Sequence, residues 1–284
     1  MKALITGAGG MLGQALCSHL KAEGHELLAL THAMADVSDA AALRAAAGRE
    51  RYDAVFHLAA FTRVDDCERE RERAYLVNAL GARNAAVVAA ERGAAILYVS
   101  TDYVFDGCAR EPYREYDAPA PTSAYGASKL AGERAVREVN PRHFVVRSSW
   151  MFGPGGANFV DTILRKADAG ETLRVVDDQR GSPTYSEDLA PALTRIARSG
   201  LFGSYHVTNR GECTWHELAA HILALTAPHA RLERTTSAAL GRPASRPAYS
   251  VLSNLIYEKS VGAPLADWRD AVERYLRAAR GALR

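Results

Sequence analysis

The sequence predicts an α/β protein with a doubly wound parallel sheet and a smaller C-terminal lobe. Its first half alternates short β-rich runs with amphipathic helical segments, a pattern typical of a parallel sheet covered on both faces. A glycine-rich turn directly follows the first of these runs. After Trp150 the alternation stops, and the chain enters the Gly- and Pro-rich stretch 153–156.

The first half supplies the predicted core elements. The strands are predicted at Lys2–Thr6, Glu26–Leu30, Ala54–Leu58, Ala94–Ser100 and His143–Arg147. The helices between them are predicted at about Met11–Glu23, Asp39–Ala47, Cys67–Arg92 and Tyr125–Val139. Right-handed crossovers between parallel strands would arrange these elements as a doubly wound sheet.

The second half is predicted to be interleaved with the first. An amphipathic segment covers about Phe159–Ala169, and short strands are predicted at Leu173–Val176 and Ser204–Thr208. We therefore expect residues 1–150 to form the sheet domain, which regains elements from about 185–210. Residues 151–284 would form mainly the smaller lobe.

Composition excludes several classes of protein. The 284 residues carry a net charge of +2, too close to balance to suggest a nucleic-acid or membrane surface. No apolar run approaches the roughly 20 residues needed to span a bilayer. The four cysteines form no C-x-x-C pair and no metal-ligand cluster is evident, so we expect no metal. Because the first predicted strand starts at Lys2, we also expect no signal peptide, and the scattered cysteines suit a reducing compartment, so a cytoplasmic protein is expected.

The glycine-rich turn predicts a dinucleotide site. Gly7, Gly10 and Gly13 give the pattern G-x-x-G-x-x-G between a strand and a helix. Such glycines allow a tight turn, close approach of a pyrophosphate and close packing of helix on strand. The helix N-terminus then supplies free N–H groups. A plain tight turn is the alternative. The expected cofactor contacts here are Gly7, Gly9, Gly10, Met11 and Leu12.

The end of the second strand leaves the cofactor preference open. A carboxylate there would bind the adenosine ribose of NADH and repel the extra phosphate of NADPH. The sequence instead has Thr31 and His32, which permit NADPH, but no arginine in this stretch demands it. Asp36 and Val37 are candidates for the adenine pocket, and a simple loop role for Asp36 is the alternative.

Tyr125 and Lys129 lie four residues apart on one face of a predicted helix. A tyrosine can give a proton to a ketone that receives hydride, but its ordinary pKa of about 10 is high for this task. A neighbouring ammonium and an oxidised nicotinamide should lower that pKa. Lys129 is also expected to hydrogen-bond the nicotinamide ribose, so Tyr125 and Lys129 count among the cofactor contacts. Thr101, at the carboxyl end of the fourth strand, is expected to orient the carbonyl. A surface Tyr–Lys pair and a turn-capping Thr101 are the alternatives.

The chain resembles the dTDP-4-dehydrorhamnose reductases, a family of extended short-chain dehydrogenases with the Rossmann-type fold. The glycine turn and Tyr-x-x-x-Lys assign only the superfamily. Three further motifs are more selective: S-T-D-Y-V-F-D-G at 100–107, Asp-Gln-x-Gly-x-Pro-Thr at 178–184 and Arg-Pro-x-x-Ser at 246–250. The resemblance implies reduction of the C4 keto group of dTDP-4-dehydro-L-rhamnose to dTDP-L-rhamnose, with NADPH or NADH as cofactor.

The resemblance also implies site residues. The nicotinamide half of the cofactor would contact residues after the third strand: Leu58, Ala59, Ala60 and Thr62. The nucleotide sugar would contact Val64, Thr101, Asp102, Tyr103, Phe105, Trp150, Gln179 and Pro183. Arg246 is expected to pair with the substrate diphosphate, with a solvated loop charge as the alternative. Trp150 either stacks on the substrate or packs in the core.

Two rival functions remain at this stage. One is a related sugar-nucleotide epimerase, or a reductase that sets another C4 configuration. The other is a non-catalytic regulatory subunit, similar to the methionine adenosyltransferase β subunit. Members of the family also form dimers, so a homodimer is expected.

Overall fold

A six-stranded parallel sheet forms the centre of the protein, seen in a computed structural model that describes residues 1–281. The strand order is β10-β5-β4-β3-β1-β2, and each neighbouring pair is parallel. The strands are β1 Lys2–Thr6, β2 Glu26–Leu30, β3 Ala54–His57, β4 Ala95–Thr101, β5 His143–Ser148, β6 Met151–Phe152, β7 Leu173–Val176, β8 Arg180–Gly181, β9 Thr184–Tyr185, β10 Gly203–His206, β11 Cys213–Thr214 and β12 Leu232–Thr235.

Helices cover both faces of this sheet, so the predicted doubly wound, Rossmann-type class is confirmed. The helices are α1 Met11–Ala22, α2 Ala40–Ala47, α3 Val64–Arg69, α4 Arg71–Tyr75, α5 Gly81–Glu91, α6 Ala124–Val139, α7 Phe159–Asp168, α8 Ser186–Ser199, α9 Trp215–Thr226, α10 Ser237–Leu240, α11 Leu255–Ser260 and α12 Trp268–Gly281. One apolar cluster joins α1 and α8 to the sheet, and a second joins α2, α5 and α6 to it. The chain reverses its winding between β1 and β3, where ligands bind in open α/β sheets.

The single long helix predicted at Cys67–Arg92 is wrong. The chain forms α3 and α4, a π-helical turn at Leu76–Leu80, and then α5. The break follows from Asn78, which is completely buried within the π-turn. Its side chain accepts a hydrogen bond from the N–H of Phe61 (2.8 Å) and donates to the carbonyl of Phe61 (3.0 Å). A π-turn inserts an extra residue into the helix, which lets this polar side chain face the loop after β3.

A third apolar cluster lies in the second half of the chain. It includes the inner faces of α7, α9 and α12, together with Phe152 and Tyr185. Three two-stranded sheets accompany it: β11-β8, β12-β7 and β6-β9. The late strand predicted at Ser204–Thr208 is present as β10 and joins the edge of the main sheet. The end of the predicted C-terminal lobe, residues 282–284, lies outside the described part of the chain.

Within residues 1–281, no helix combines the length and the apolar character needed to cross a membrane.

Candidate active site

A cavity of about 620 Å³ opens at the carboxyl ends of β1, β2 and β3. Its position matches the point where the sheet reverses its winding. It is lined by Thr6, Gly7, Gly9, Gly10, Leu30, Thr31, His32, Ala33, Ala35, Asp36, Val37, Leu43, Leu58, Ala59, Ala60, Phe61, Arg73 and Val77.

The glycine turn shapes one wall of this first cavity. Gly7 has a φ of +72°, and a Cβ there would come within 2.5 Å of the backbone nitrogen of Ala59. A Cβ at Gly13 would overlap the carbonyl oxygen of Gly7. Gly10 is the N-cap of α1 and offers no side-chain cap, so the first N–H groups of the helix are available to an anion. These features fit the pyrophosphate of a dinucleotide.

Thr101 and Tyr125 bring their hydroxyl groups together at the sheet edge. Thr101 ends β4 and Tyr125 lies in the first turn of α6, yet the Thr101 hydroxyl lies close enough to the Tyr125 phenol to act on its pKa. The Thr101 hydroxyl also donates to Asp102 Oδ1 at 2.9 Å. The Asp102 carboxyl is buried, which raises its pKa to about 6 in spite of hydrogen bonds from Ser250 and Thr101. Two hydroxyls and a carboxyl therefore converge at one point.

In the protein alone, without the nicotinamide on which the expected lowering partly depends, the pKa of Tyr125 is raised. Burial is the main effect and raises that pKa, which outweighs the opposing hydrogen bond from Thr101. The neutral phenol is thus the stable form, as a proton donor requires before it acts.

Lys129 is buried one helical turn beyond Tyr125. Its ammonium donates to the carbonyl oxygen of Val99 at 2.7 Å and lies 4.2 Å from the centre of the Tyr98 ring. Burial lowers the Lys129 pKa to about 7, although the nearby Glu133 carboxylate opposes this shift. Lys129 can therefore change its charge near neutral pH.

Glu133 belongs to a buried polar network behind Lys129. The Nε and Nη2 groups of Arg147 donate hydrogen bonds to the Glu133 carboxylate, at 2.9 and 2.8 Å, and the Ser100 hydroxyl donates a third at 2.7 Å. Burial alone would raise the Glu133 pKa, but the Arg147 and Ser100 contacts lower it overall. The network joins β4, β5 and α6, so it holds the helix that carries Tyr125 and Lys129.

A second cavity, of about 660 Å³, lies between the sheet edge and the second half of the chain. Tyr103 belongs to its wall, and the Tyr103 ring meets the Tyr125 ring edge-on at 5.8 Å. The wall consists of Tyr103, Phe159, Thr162, Ile163, Lys166, Leu173, Arg174, Val175, Val176, Gln179, Trp215, Ser237, Ala238, Leu240, Arg242, Pro243, Ala244, Ser245 and Arg246. This cavity therefore begins beside the paired hydroxyls.

Aromatic rings form one end of the second cavity. Trp215 stacks on Trp150 with ring centres 3.6 Å apart, and Phe159 meets Trp215 at 4.6 Å. The Trp215 indole donates to Gln179 Oε1 at 3.1 Å, and Gln179 donates to the Ser237 hydroxyl at 2.7 Å. A flat apolar wall with one amide beside it suits a nucleotide base.

Comparison with known proteins identifies the family. The family described as the RmlD substrate binding domain matches residues 1–280. The dTDP-4-dehydrorhamnose reductase of Streptomyces griseus is 43% identical over 276 residues, which cover 95% of this chain and 91% of that protein. The chain belongs to the dTDP-4-dehydrorhamnose reductase family.

Two further relatives of this reductase family bear on cofactor and substrate. The solved structure of dTDP-4-dehydrorhamnose reductase from Bacillus anthracis, in complex with NADP, matches with a TM-score of 0.94 at 37% identity. The match covers 98% of this chain and 99% of that chain. A probable dTDP-4,6-dihydroxy-2-methyloxan-3-one 4-ketoreductase of Streptomyces antibioticus is 42% identical over 275 residues, 96% of this chain and 93% of that protein. Relatives of nearly equal identity thus carry names with different keto sugars.

Most of the expected cofactor residues of this family member line the first cavity: Gly7, Gly9, Gly10, Asp36, Val37, Leu58, Ala59 and Ala60. Five lie outside its wall. Tyr125 and Lys129 belong to α6. Met11 begins α1 and faces Gly156, while Leu12 belongs to the apolar core. Thr62 is exposed in the loop after β3.

The expected substrate residues divide in the same way. Tyr103, Gln179 and Arg246 line the second cavity. Phe105 does not reach it: the ring is 1% exposed and stacks on Tyr113 at 4.2 Å. Four others lie outside the second cavity's wall or beneath it. Val64 begins α3, Pro183 is buried, Trp150 packs behind Trp215, and Asp102 is buried under Thr101.

Arg246 has a different partner from the one expected. Its guanidinium forms a two-point ion pair with Asp65, at 3.1 and 2.9 Å, and its side chain is only 10% exposed. Arg246 also donates to the carbonyl of Ala244 at 3.0 Å. The solvated loop charge, one of the two sequence alternatives, does not describe this arrangement.

Sequence reasoning missed several residues of both cavities: Arg73 in the first, and Phe159, Trp215, Ser237 and Arg242 in the second. One local signal was available for Trp215. Thr214 and Glu217 form a capping box that starts α9 at Trp215. The role of the ring was not readable, because its contact with Trp150 joins positions 65 residues apart in the sequence.

Proposed function

We propose that this protein reduces the C4 keto group of dTDP-4-dehydro-L-rhamnose to dTDP-L-rhamnose with NADPH or NADH. The observation that carries the proposal is the approach of the Thr101 hydroxyl to the Tyr125 phenol, with Lys129 one turn further along the same helix. Tyr125 packs against the cluster of Phe61, which lines the first cavity, and its ring meets that of Tyr103, which lines the second. The two cavities suit the two halves of a hydride-transfer reaction.

The proposed chemistry needs a hydride on C4 and a proton on the keto oxygen. The nicotinamide cofactor, when bound, supplies the hydride. Tyr125 gives its phenolic proton to the oxygen, because burial keeps the phenol protonated until then. Thr101 donates its single hydroxyl proton to Asp102 in the free protein and would turn it to the same oxygen when the substrate is bound. Lys129 stabilises the resulting phenolate by charge and contacts the nicotinamide ribose.

The first cavity supports the cofactor part of the proposal. The free N–H groups at the start of α1 would hold the pyrophosphate, next to Gly9 and Gly10. Thr31 and His32 lie at the end of β2 without a carboxylate, and Arg73 lines the same cavity. This wall accepts the extra phosphate of NADPH, while NADH also fits.

We assign the substrate to the second cavity, formed mainly by residues of the proposed C-terminal lobe at 151–284. Tyr103 lies at the catalytic side, Gln179 and Trp215 at the aromatic end. Of the other expected contacts, Thr101 and Asp102 lie beneath the sugar. Trp150 supports the wall from behind Trp215, while Val64 and Pro183 remain expected contacts.

The assay that tests the proposal mixes the protein with NADPH or NADH and dTDP-4-dehydro-L-rhamnose. Consumption of the nicotinamide absorbance and formation of dTDP-L-rhamnose are expected. Binding of the cofactor and of the keto sugar without oxidation of either NADPH or NADH would contradict the proposal and favour a regulatory role.

A second candidate is a reductase of another dTDP-linked keto sugar. It is favoured by the 42% identity to the probable Streptomyces antibioticus 4-ketoreductase, which nearly equals the identity to the Streptomyces griseus enzyme. Competition between two keto sugars, with the C4 configuration of each product read by NMR, separates the two candidates. A larger kcat/KM for the other sugar would make that sugar the substrate.

We further propose that the protein is cytoplasmic and pairs as a homodimer. All four cysteines are free, which suits a reducing compartment. Tyr75, Leu76 and Leu80 are 43%, 42% and 36% exposed and form an apolar surface at the α4–π-turn segment. Analytical ultracentrifugation should show a dimer that Leu76→Glu weakens. A monomer at micromolar concentration would contradict the pairing.

A further inference from the structure

We infer that Arg242, and not Arg246, is the arginine that binds the diphosphate of the nucleotide-sugar substrate. This inference rests on the proposed function, because it assigns a residue within the proposed substrate cavity. It follows from the partners of the cations in that cavity. Four basic side chains belong to its wall: Lys166, Arg174, Arg242 and Arg246.

Arg246 already has a carboxylate partner in the folded protein. Both Asp65 oxygens accept hydrogen bonds from its guanidinium, and the Ala244 carbonyl accepts a third. To bind a phosphate in the same geometry, Arg246 would have to release Asp65 and leave that carboxylate beside an anionic ligand. Such an exchange is unfavourable, because like charges at close range repel.

Lys166 and Arg174 are also paired with carboxylates. The Nζ atom of Lys166 lies 3.4 Å from Oε2 of Glu171, and the Nε atom of Arg174 lies 3.2 Å from Oε2 of Glu233. The Arg174 side chain is 73% exposed, so it points mostly to solvent. These two cations are compensated by their own neighbours and are poor candidates for a buried phosphate contact.

Arg242 is exposed, and the described residues offer its guanidinium no hydrogen bond or salt bridge. Its charge still acts on the site: it opposes the burial that raises the pKa of Tyr103, and it contributes to the lowered pKa of Asp65. Arg242 therefore lies close enough to Tyr103 to influence the catalytic side of the cavity. All its N–H donors are available for phosphate oxygens, which a guanidinium can bind at two points.

The place of Arg242 in the cavity wall suits the diphosphate, which lies between the sugar and the base of the substrate. The keto sugar must reach Tyr125, which Tyr103 contacts edge-on, and the base would lie at the Trp215 end. The diphosphate joins these two parts, so it must pass through the middle of the cavity. A free cation in this wall would neutralise it.

The segment that carries Arg242 is held on both sides. Before it, the backbone N–H and hydroxyl of Ser237 both donate to Asp178, at 2.8 Å each. After it, the backbone N–H of Ala244 donates to Asp65 at 3.2 Å. The Arg246–Asp65 pair therefore acts as a positioning contact: it fixes the loop from which Arg242 reaches the ligand.

The test compares the binding of dTDP and of thymidine by isothermal titration calorimetry in the presence of NADPH. Arg242→Gln should weaken dTDP binding about tenfold or more, because a charge-assisted contact is lost. Thymidine lacks phosphates, so its affinity should change less than about twofold by the same reasoning. Arg242→Lys keeps the charge and should recover part of the dTDP affinity. Arg277→Gln, an exposed arginine of α12, is the matched control.

Each outcome is decisive. Equal loss of dTDP and thymidine affinity would overturn the assignment, because it would indicate a structural effect. Unchanged dTDP affinity in Arg242→Gln, with the wild-type protein binding dTDP, would also overturn it while leaving the proposed function intact. Failure of the wild-type protein to bind dTDP at all would instead contradict the proposed function.

Discussion

The hydroxyl of Thr101 lies beside the phenol of Tyr125, although one residue ends a strand and the other lies in the first turn of a helix. Thr101 also donates to Asp102, so its position is fixed from a second side. A hydroxyl held in this way can orient a carbonyl oxygen directly beside the proton donor. The pair is the geometric basis for the predictions about turnover.

Replacing Thr101 by Val should lower kcat about 100-fold, the loss typical of one removed hydrogen-bond donor at a reacting oxygen. Val has nearly the same shape, so the fold and the affinity for NADPH should persist. Steady-state kinetics and cofactor titration measure the two effects. Thr122→Val, at an exposed position before α6, is the control. A Thr101→Val enzyme with wild-type kcat would exclude Thr101 from the reaction.

Lys129 should make stability depend on pH. Its pKa is about 7 in the folded protein and near its ordinary 10.5 in the unfolded chain. Between these values the unfolded chain binds more protons, so the free energy of unfolding should rise with pH by up to about 1.4 kcal/mol per unit.

Urea denaturation at about pH 7 and about pH 10 measures this rise in the free energy of unfolding. Lys129→Met should lose the part of the rise that Lys129 supplies, whereas Lys21→Met, at an exposed position, should retain it. If the free energy of unfolding rose equally with pH in Lys129→Met and in the wild type, the Lys129 pKa would not be lowered by burial as described. Turnover should also be lost in Lys129→Met.

The glycine turn gives a stability prediction with an internal control. Gly13→Ala should destabilise the protein by about 1–3 kcal/mol, because the added Cβ overlaps the Gly7 carbonyl. Gly9→Ala should change stability by less than about 0.5 kcal/mol, since the nearest atom to its Cβ is 3.6 Å away. Thermal unfolding of both variants checks the difference. Equal effects would mean that the turn is not packed as closely as described.

Local patterns account for what the sequence could predict. The glycine turn and the Tyr125–Lys129 spacing each depend on a few neighbouring residues, and both lie where expected at the sheet edge. Strand positions followed from apolar runs, with errors of about one residue for most of them. Apolar periodicity predicts strands and helices because it reflects which face of each element must be buried in the folded protein.

Distant contacts account for what the sequence could not predict. The break in the helix predicted at Cys67–Arg92 depends on Asn78 meeting the loop of Phe61. The ion pair of Arg246 with Asp65 could not be predicted, because the two residues lie 181 positions apart in the sequence. The Tyr125 pKa was expected to fall, but burial, which only the fold determines, raises it.

The most direct test of the account is the Tyr125→Phe variant, measured for turnover of the keto sugar and for NADPH affinity. Loss of one acid–base group should lower kcat by about 10² to 10⁴ while the affinity for NADPH stays within about twofold. Tyr116→Phe, at an exposed position, should match the wild type. Full turnover by Tyr125→Phe would contradict the assignment of Tyr125 as proton donor.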